Sequence, residues 1–229
     1  MDRPVVIRIF GEGLLIVVSI LLALSADTWF DSRKQEAQLG SHVAALSRDF
    51  DTMLDRVNAS HHAASRGVDS GRRISIFMQG GAQIEPKQAR ELLWHLIFYE
   101  VFSESSGAYQ ALVASGNLEL LQNDRLKTEL ADFFGSFEDV RASEKLLLET
   151  QTAVFSADAF SQLAGWHRMG KAGVPVAGDF PVDQWSRSDE FMNAVGICTV
   201  RQADVLEDYQ YLKNRIQSIS AILASEASS

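Results

Sequence analysis

Cysteine is almost absent from this sequence of 229 residues, which contains only Cys198. A single cysteine cannot form a disulfide within the chain, so no disulfide framework supports the fold. Cys198 follows the mostly apolar segment Val195-Gly196-Ile197. Such surroundings favour a small buried side chain over a reactive thiol.

Positive charge is also scarce. The chain has 21 lysine and arginine residues against 30 aspartate and glutamate residues, which gives a net charge of −9. A field of this sign repels phosphate backbones at long range. We therefore expect no nucleic-acid partner.

Motifs that carry enzyme chemistry are missing or incomplete. Residues 165–172 read GWHRMGKA, which resembles a P-loop, but Ala172 replaces the hydroxyl side chain that would bind Mg²⁺. The sequence has no Gly-x-Ser-x-Gly elbow, and no two of its five histidines show the His-x-x-x-His spacing of a helical metal site. We predict no catalytic residue, no cofactor and no metal ligand.

One apolar run near the N-terminus is the feature that needs a special explanation. It reads GLLIVVSILLALSA over residues 13–26, and with its flanks it extends over residues 9–30. About 22 helical residues match the bilayer core, so we predict a transmembrane helix. Glu12 lies within a turn of the start, where it reaches headgroup water, and an intramembrane functional carboxylate is the alternative. The predicted anchor residues are Glu12, Leu14, Leu15, Ile16, Val17, Leu21, Leu24 and the interfacial Trp29.

A cleaved signal peptide is the alternative to a retained anchor. Ala23-Leu24-Ser25 has the small-x-small pattern of a cleavage site. The helical pattern nevertheless continues through this point without a breaker, which favours retention. Positive residues flank both ends of the run, and the predicted orientation has a short tail inside and the larger domain outside.

The remaining sequence predicts amphipathic helices. Apolar residues alternate at spacings of four and three over residues 39–57, 126–140 and 191–223. Seams of this length are buried most simply against each other, so we predict an all-α fold in which the transmembrane helix continues into an antiparallel helical bundle. The predicted boundaries are a short tail at 1–8, the transmembrane helix at 9–30, the bundle at 31–224 with a loop at about 165–188, and a flexible tail at 225–229.

Local signals place several helix ends. Gly80-Gly81 predicts the end of one helix, and Pro86 suits the first turn of the next. Asn123 is a suitable N-cap for a helix that we expect to continue past Gly135 toward Phe155 and Phe160.

Small residues are concentrated in the segment 105–117, which reads SSGAYQALVASGN. They would let one helix approach another closely, and Gly116-Asn117 is typical of a helix end. Close packing is the simpler interpretation, and a small ligand pocket edged by Tyr109 is the alternative. The residues of this possible ligand or packing site are Gly107, Tyr109, Gly116 and Asn117.

Two stretches together resemble one protein family. The anchor, with Glu12, Trp29 and Arg33, and the segment from Gly107 to Asn123 are similar to bacterial single-pass membrane proteins that contain a domain of unknown function. The resemblance extends to about residue 150. It implies a helical domain bound to a lipid bilayer, with no assigned activity, cofactor or catalytic residue. We expect a protein of the bacterial inner membrane whose soluble domain lies in the periplasm.

Three functions agree with these observations. The first is a protein-interaction or ligand-sensing module of the bacterial envelope. The second is an enzyme with an unrecognised site near His95, Tyr109 or His167. The third is a structural homo-oligomer whose chains pair through the C-terminal seam at 191–223.

Overall fold

Helices make up the part of the chain that the structure describes. The structure is a computed structural model that describes residues 3–81, 83–98, 100–102, 106–156 and 182–226, and for residues 3–17, 155 and 156 it describes the backbone alone. These residues contain no strand, which confirms the predicted all-α fold. The elements are α1 (Arg3–Met78), α2 (Pro86–Ile97), α3 (Gly107–Ala114), a 3₁₀ helix (Asn117–Leu120), α4 (Asp124–Gly135), α5 (Phe137–Ser156), α6 (Val182–Trp185) and α7 (Asp189–Glu226).

Helices α1 and α7 form the central pair of the bundle. Seam residues such as Phe50 on α1 and Leu212 on α7 are fully buried, as their spacing predicts. Gly67 of α1 faces Gln202, and Gly71, one turn further along, faces Thr199. Residue numbers therefore fall along α7 as they rise along α1, which confirms the antiparallel arrangement.

The apolar interior consists of two clusters along this pair. The first lies between α1, α3, α4, α5 and the C-terminal half of α7, and includes Phe50, Phe133 and Phe137. The second lies between the end of α1, α2, α6 and the start of α7, and includes Trp185 and Phe191. The surrounding helices thus bury apolar side chains against the central pair.

Buried polar side chains lie between the two apolar clusters. Gln202 is fully buried, and its Nε2 donates a hydrogen bond to the carbonyl oxygen of Leu96 at 3.2 Å. The Nε2 atom of Gln151 donates to the same carbonyl at 3.4 Å. These bonds connect α7 and α5 to the C-terminal turn of α2, where the last carbonyl groups of a helix lack intrahelical partners.

A second buried polar contact joins Glu144 of α5, Tyr209 of α7 and Phe102. The carboxylate of Glu144 accepts hydrogen bonds from the Tyr209 hydroxyl at 2.6 Å and from the Phe102 backbone N–H at 2.9 Å. Burial raises the pKa of Glu144, and the hydrogen bonds from Tyr209 and Phe102 oppose that shift. These two hydrogen bonds hold Phe102 against α5 and α7.

Most predicted helix ends agree with the structure. Pro86 begins α2, and Gly80 has the left-handed φ of 82° just after α1. The Asn123 side chain caps α4 by accepting from the Leu126 N–H at 3.1 Å. The predicted continuous helix through Gly135 is wrong, because α4 ends there and α5 begins at Phe137. At the break, the Ser136 hydroxyl donates to the Phe133 carbonyl at 2.8 Å.

Helices extend into the ranges predicted as tails and as a loop. Helix α1 begins at Arg3, inside the predicted tail at 1–8, and α7 continues to Glu226, inside the predicted tail at 225–229. Residues 165–181 of the predicted loop lie outside the described residues. The end of that loop is helical, because residues 182–185 form α6 and the side chain of Trp185 is fully buried.

The predicted anchor falls only partly within the described residues. Among these residues, no helix contains a segment that is both apolar enough and long enough to cross a membrane. Leu21, Leu24 and Trp29 lie on α1 and are more than half exposed. The other predicted anchor residues, whose side chains lie outside the described part, are Glu12, Leu14, Leu15, Ile16 and Val17. The transmembrane segment at 9–30 stays a prediction.

Candidate functional site

The two glycines at the ends of α3 do not themselves create a close helix contact, although the Ala108 N–H donates a hydrogen bond to Asp49 of α1 at 2.9 Å. A Cβ atom at Gly107 or Gly116 would meet nothing within 4 Å, so close approach is wrong as the explanation of these two glycines. Gly116 instead ends α3 with a left-handed φ of 71°. Close contact occurs on α1, where a Cβ atom at Gly67 or Gly71 would overlap the side chain of Gln202 or Thr199.

Tyr109 and Asn117 make packing contacts. The Tyr109 ring stacks on Phe134 of α4 at a centroid distance of 4.0 Å. The Asn117 Nδ2 atom lies 3.3 Å from Nε2 of His42 on α1. These contacts connect the α3 region to α1 and α4, and they support packing rather than a ligand pocket at Tyr109.

Of the residues proposed for an unrecognised enzyme site, the two that the structure describes, His95 and Tyr109, do not come together. His95 lies on α2, which packs on the second apolar cluster, whereas Tyr109 packs against the first. His167 lies outside the described residues. Cys198 is buried as predicted, and burial raises the pKa of its thiol to about 12, so the reactive thiolate is suppressed at neutral pH.

The C-terminal seam is already occupied within one chain. Every buried residue of α7 between Phe191 and Leu223 is at most 1% exposed. The partners of this seam are the other helices of the same bundle, chiefly α1, α5 and α4. Pairing of two chains through the seam would therefore require the bundle to open.

A polar cleft between α1 and α2 is the best candidate site in the described part of the chain. Its volume is about 320 Å³. Both helices present side chains at the spacing i, i+3 and i+7, which places them on one face of each helix. The long polar side chains at the cleft are Arg66, Asp69 and Arg73 from α1, and Gln88, Glu91 and His95 from α2, and the smaller Ser65 and Ser70 of α1 also line it.

The charges of this cleft are not neutralised by internal ion pairs. Among the described residues, no ion pair within 4.0 Å involves Arg66, Arg73, Asp69 or Glu91. Elsewhere arginine side chains do pair, as in the 2.8 Å contact of Arg215 with Glu129. The cleft therefore presents two guanidinium and two carboxylate groups that can bind a ligand.

His95 is biased toward the neutral imidazole. Burial lowers its pKa, the positive charge of Arg66 lowers it further, and the negative charge of Glu91 raises it. A neutral imidazole offers one donor and one acceptor nitrogen. The neutral His95 therefore adds no positive charge to the two guanidinium and two carboxylate groups of the cleft.

Two variants are expected to shift the His95 pKa in opposite directions. Arg66→Gln removes a cation that disfavours the imidazolium, so the pKa rises, whereas Glu91→Gln removes an anion that favours it, so the pKa falls. A pH titration of the imidazole resonances by NMR measures both. Equal pKa values in the two variants would contradict the placement of Arg66 and Glu91 around His95.

Two further clefts surround the point where α1 leaves the bundle. Their volumes are about 550 Å³ and 340 Å³, and both are lined by Glu36, Leu39 and Gln122. Their α1 residues lie between positions 32 and 44, whereas those of the α1–α2 cleft lie between positions 65 and 73. These two clefts therefore lie at the end of the bundle where α1 enters it, apart from the α1–α2 cleft.

The α1–α2 cleft was not found from the sequence, although its signal is present there. Charged or polar residues occupy positions 66, 69 and 73 and again 88, 91 and 95, with the same spacing. Comparison with protein-family models, with curated proteins and with solved structures gives no match. The fold and this cleft are therefore the basis for a functional proposal.

Proposed function

We propose that the protein is a membrane-anchored helical module of the bacterial envelope that binds a protein partner or a small ligand. The observation that carries this proposal is the exposed apolar stretch of α1. Val18, Ile20, Leu21, Leu22 and Leu24 are between 46% and 65% exposed. Three of them are consecutive and point about 100° apart, so apolar surface faces outward on several sides of the helix.

An apolar surface of this kind is unfavourable in contact with water. A helix that is apolar on every side is typical of a protein core or a membrane span, and the described helices of the bundle do not cover residues 18–30. In this proposal, lipid acyl chains surround these apolar side chains. The apolar run of the sequence supplies about 22 residues, enough for one span.

The aromatic end of the stretch supports an interfacial position. Trp29 and Phe30 contact each other edge to face at 5.1 Å, and the Arg33 guanidinium lies 5.5 Å from the centre of the Trp29 ring. Tryptophan and nearby basic residues are typical of the headgroup region. The bilayer then ends close to Arg33, and the bundle follows on the outer, periplasmic side of the inner membrane.

Continuity of α1 gives the anchor a role beyond attachment. The same helix carries the exposed stretch, the seam from Val43 to Val57 and one wall of the α1–α2 cleft. A ligand or partner at the cleft would thus contact the helix that enters the membrane. This supports interaction or sensing over catalysis as the proposed function.

A pair of double variants tests the anchor. Full-length protein is expected in the membrane fraction, resistant to alkaline carbonate and released by detergent. Leu21→Asp with Leu22→Asp should shift it to the aqueous fraction, because each central aspartate costs about 2.5–3.5 kcal/mol of insertion free energy. The matched control is Ile197→Asp with Val200→Asp on α7, whose side chains are similarly exposed, and it should stay in the membrane fraction.

The proposal has one decisive contrary outcome. Recovery of the uncleaved wild-type chain from cells in the aqueous fraction, without detergent, would remove the anchor and with it the envelope location. If both double variants moved to the aqueous fraction, the loss of membrane association would result from general destabilisation of the protein.

A further inference from the structure

We propose that the α1–α2 cleft binds a small zwitterion with one carboxylate and one ammonium group, that is, a free α-amino acid or a dipeptide. The proposal names a ligand class for the sensing role and rests on that proposed function. It concerns the cleft only, so it is tested independently of the membrane anchor.

The order of residues on the two helices defines three levels of the cleft. The chain reverses between Met78 and Pro86, so residues near the end of α1 lie beside residues near the start of α2. Arg73 and Gln88 are closest to this turn, and Asp69 and Glu91 are the central residues. Arg66 lies at the far level, where its charge acts on His95.

Charges of opposite sign therefore alternate along the cleft. A lone anion bound by Arg66 or Arg73 would lie beside the carboxylate of Asp69, and a lone cation would lie beside a guanidinium. A ligand with both charges satisfies both groups. Guanidinium groups bind carboxylates through two parallel hydrogen bonds, and carboxylates accept the N–H groups of an ammonium ion.

The long-range field also disfavours a simple anionic ligand. The whole chain carries a net charge of −9, and the neutral His95 adds no positive charge to the cleft. A zwitterion has no net charge, so this field neither attracts nor repels it strongly. Local pairing then determines the affinity.

The size and floor of the cleft suit a small ligand. Its volume of about 320 Å³ lies at the lower end of the range of small-molecule sites. Leu92 and Ser70 at the cleft are only 3% and 2% exposed. They offer an apolar contact for an aliphatic side chain and a hydroxyl for one additional hydrogen bond.

The α2 wall of the cleft is held in place from behind. Leu96, the neighbour of His95, has its carbonyl fixed by hydrogen bonds from Gln202 and Gln151. A fixed helix backbone avoids the cost of ordering α2 itself when a ligand binds. The buried polar residues of the bundle thus position the binding face of α2.

Calorimetric titration of the detergent-solubilised full-length chain tests the proposal. The compounds are the twenty free L-amino acids and L-alanyl-L-alanine, with acetate and phosphate as anions alone, and methylamine and putrescine as cations alone. At least one zwitterion is expected to bind. Its N-acetyl and methyl-ester derivatives, which each lack one charge, should bind at least about tenfold more weakly.

Variants assign the binding to the cleft. Arg73→Gln and Asp69→Asn should each weaken zwitterion binding at least about tenfold. Arg72→Gln is the matched control, because Arg72 is the exposed neighbour of Arg73 and does not line the cleft. Its dissociation constant should equal that of the wild type. The affected side chains are exposed, so unchanged circular dichroism is expected for all three variants.

Three outcomes would overturn the proposal. One is the absence of binding by every zwitterion up to about 10 mM. Another is binding that is unchanged by both Arg73→Gln and Asp69→Asn. The third is tighter binding of phosphate or putrescine than of any zwitterion, which would identify a simple anion or cation site. None of these outcomes depends on the fractionation of the protein, so a failed ligand proposal and a failed anchor proposal are distinguishable.

Discussion

Replacing Gly71 with valine is expected to lower the free energy of unfolding by about 3 kcal/mol. A Cβ atom at Gly71 would overlap the Thr199 hydroxyl and lie 2.9 Å from the Thr199 Cβ atom. Thr199 is β-branched and lies within α7, so rotation of its side chain gives little relief. Helices α1 and α7 would have to separate, which would open the fully buried contacts on both sides of this level.

The matched control is the same substitution at Gly40. Gly40 lies on the same helix, and a Cβ atom there would meet nothing within 4 Å. Valine has a slightly higher helix propensity than glycine, so Gly40→Val should change the stability by no more than about 0.5 kcal/mol. Guanidinium denaturation followed by circular dichroism measures both values.

A compensating change makes the test specific. All of the atoms that a Cβ atom at Gly71 would approach most closely belong to the Thr199 side chain. Adding Thr199→Gly to Gly71→Val should therefore recover more than half of the lost stability, as a coupling between two contacting residues. Equal stability of Gly71→Val and Gly40→Val would show that α1 and α7 do not approach closely at this level.

Gly40 and Gly71 also show which features of the fold cannot be predicted from the sequence. The seams of α1 and α7 follow from apolar periodicity alone, because the spacing of four and three places each residue on the buried face whatever its partner is. A helical glycine has no such signature. Gly40 and Gly71 are alike in the sequence, and only the helix that lies opposite distinguishes them.

Gln202 is a second residue whose role cannot be predicted from the sequence. In the sequence it is a single polar interruption of an apolar seam, which by itself suggests a weak point. Its role depends on the Leu96 carbonyl, which is 106 residues away in the chain. A buried amide is stable only where hydrogen-bond partners are present, and periodicity does not predict such partners.

The two parts of the functional proposal differ in how far the sequence predicts them. The anchor at residues 9–30 follows from composition and length alone. The cleft requires two rows of residues to lie opposite each other, and that arrangement is set by the turn between Met78 and Pro86. His95 was a candidate from its residue type, whereas Arg66 and Asp69 acquired significance only from the fold.

Replacing Trp185 with alanine is expected to lower the free energy of unfolding by about 3–5 kcal/mol. Trp185 is fully buried, although its four-residue helix falls at the end of a segment that the sequence predicts to be a loop. Its ring lies 5.1 Å from that of Phe191 and 6.3 Å from that of Phe77, so it joins the start of α7 to the end of α1. The alanine variant would leave a large cavity in the second apolar cluster.

Trp29→Ala provides the comparison, because Trp29 is 56% exposed on α1. The substitution is the same as at Trp185, so only the burial of the side chain differs. The loss of the Trp29 ring should change bundle stability by no more than about 0.5 kcal/mol. Both variants are measured by guanidinium denaturation of the full-length chain in detergent, with circular dichroism as the signal. Equal losses would mean that Trp185 does not belong to the core, and residues 182–188 would then form the end of a loop, as glycine and proline in the preceding sequence predict.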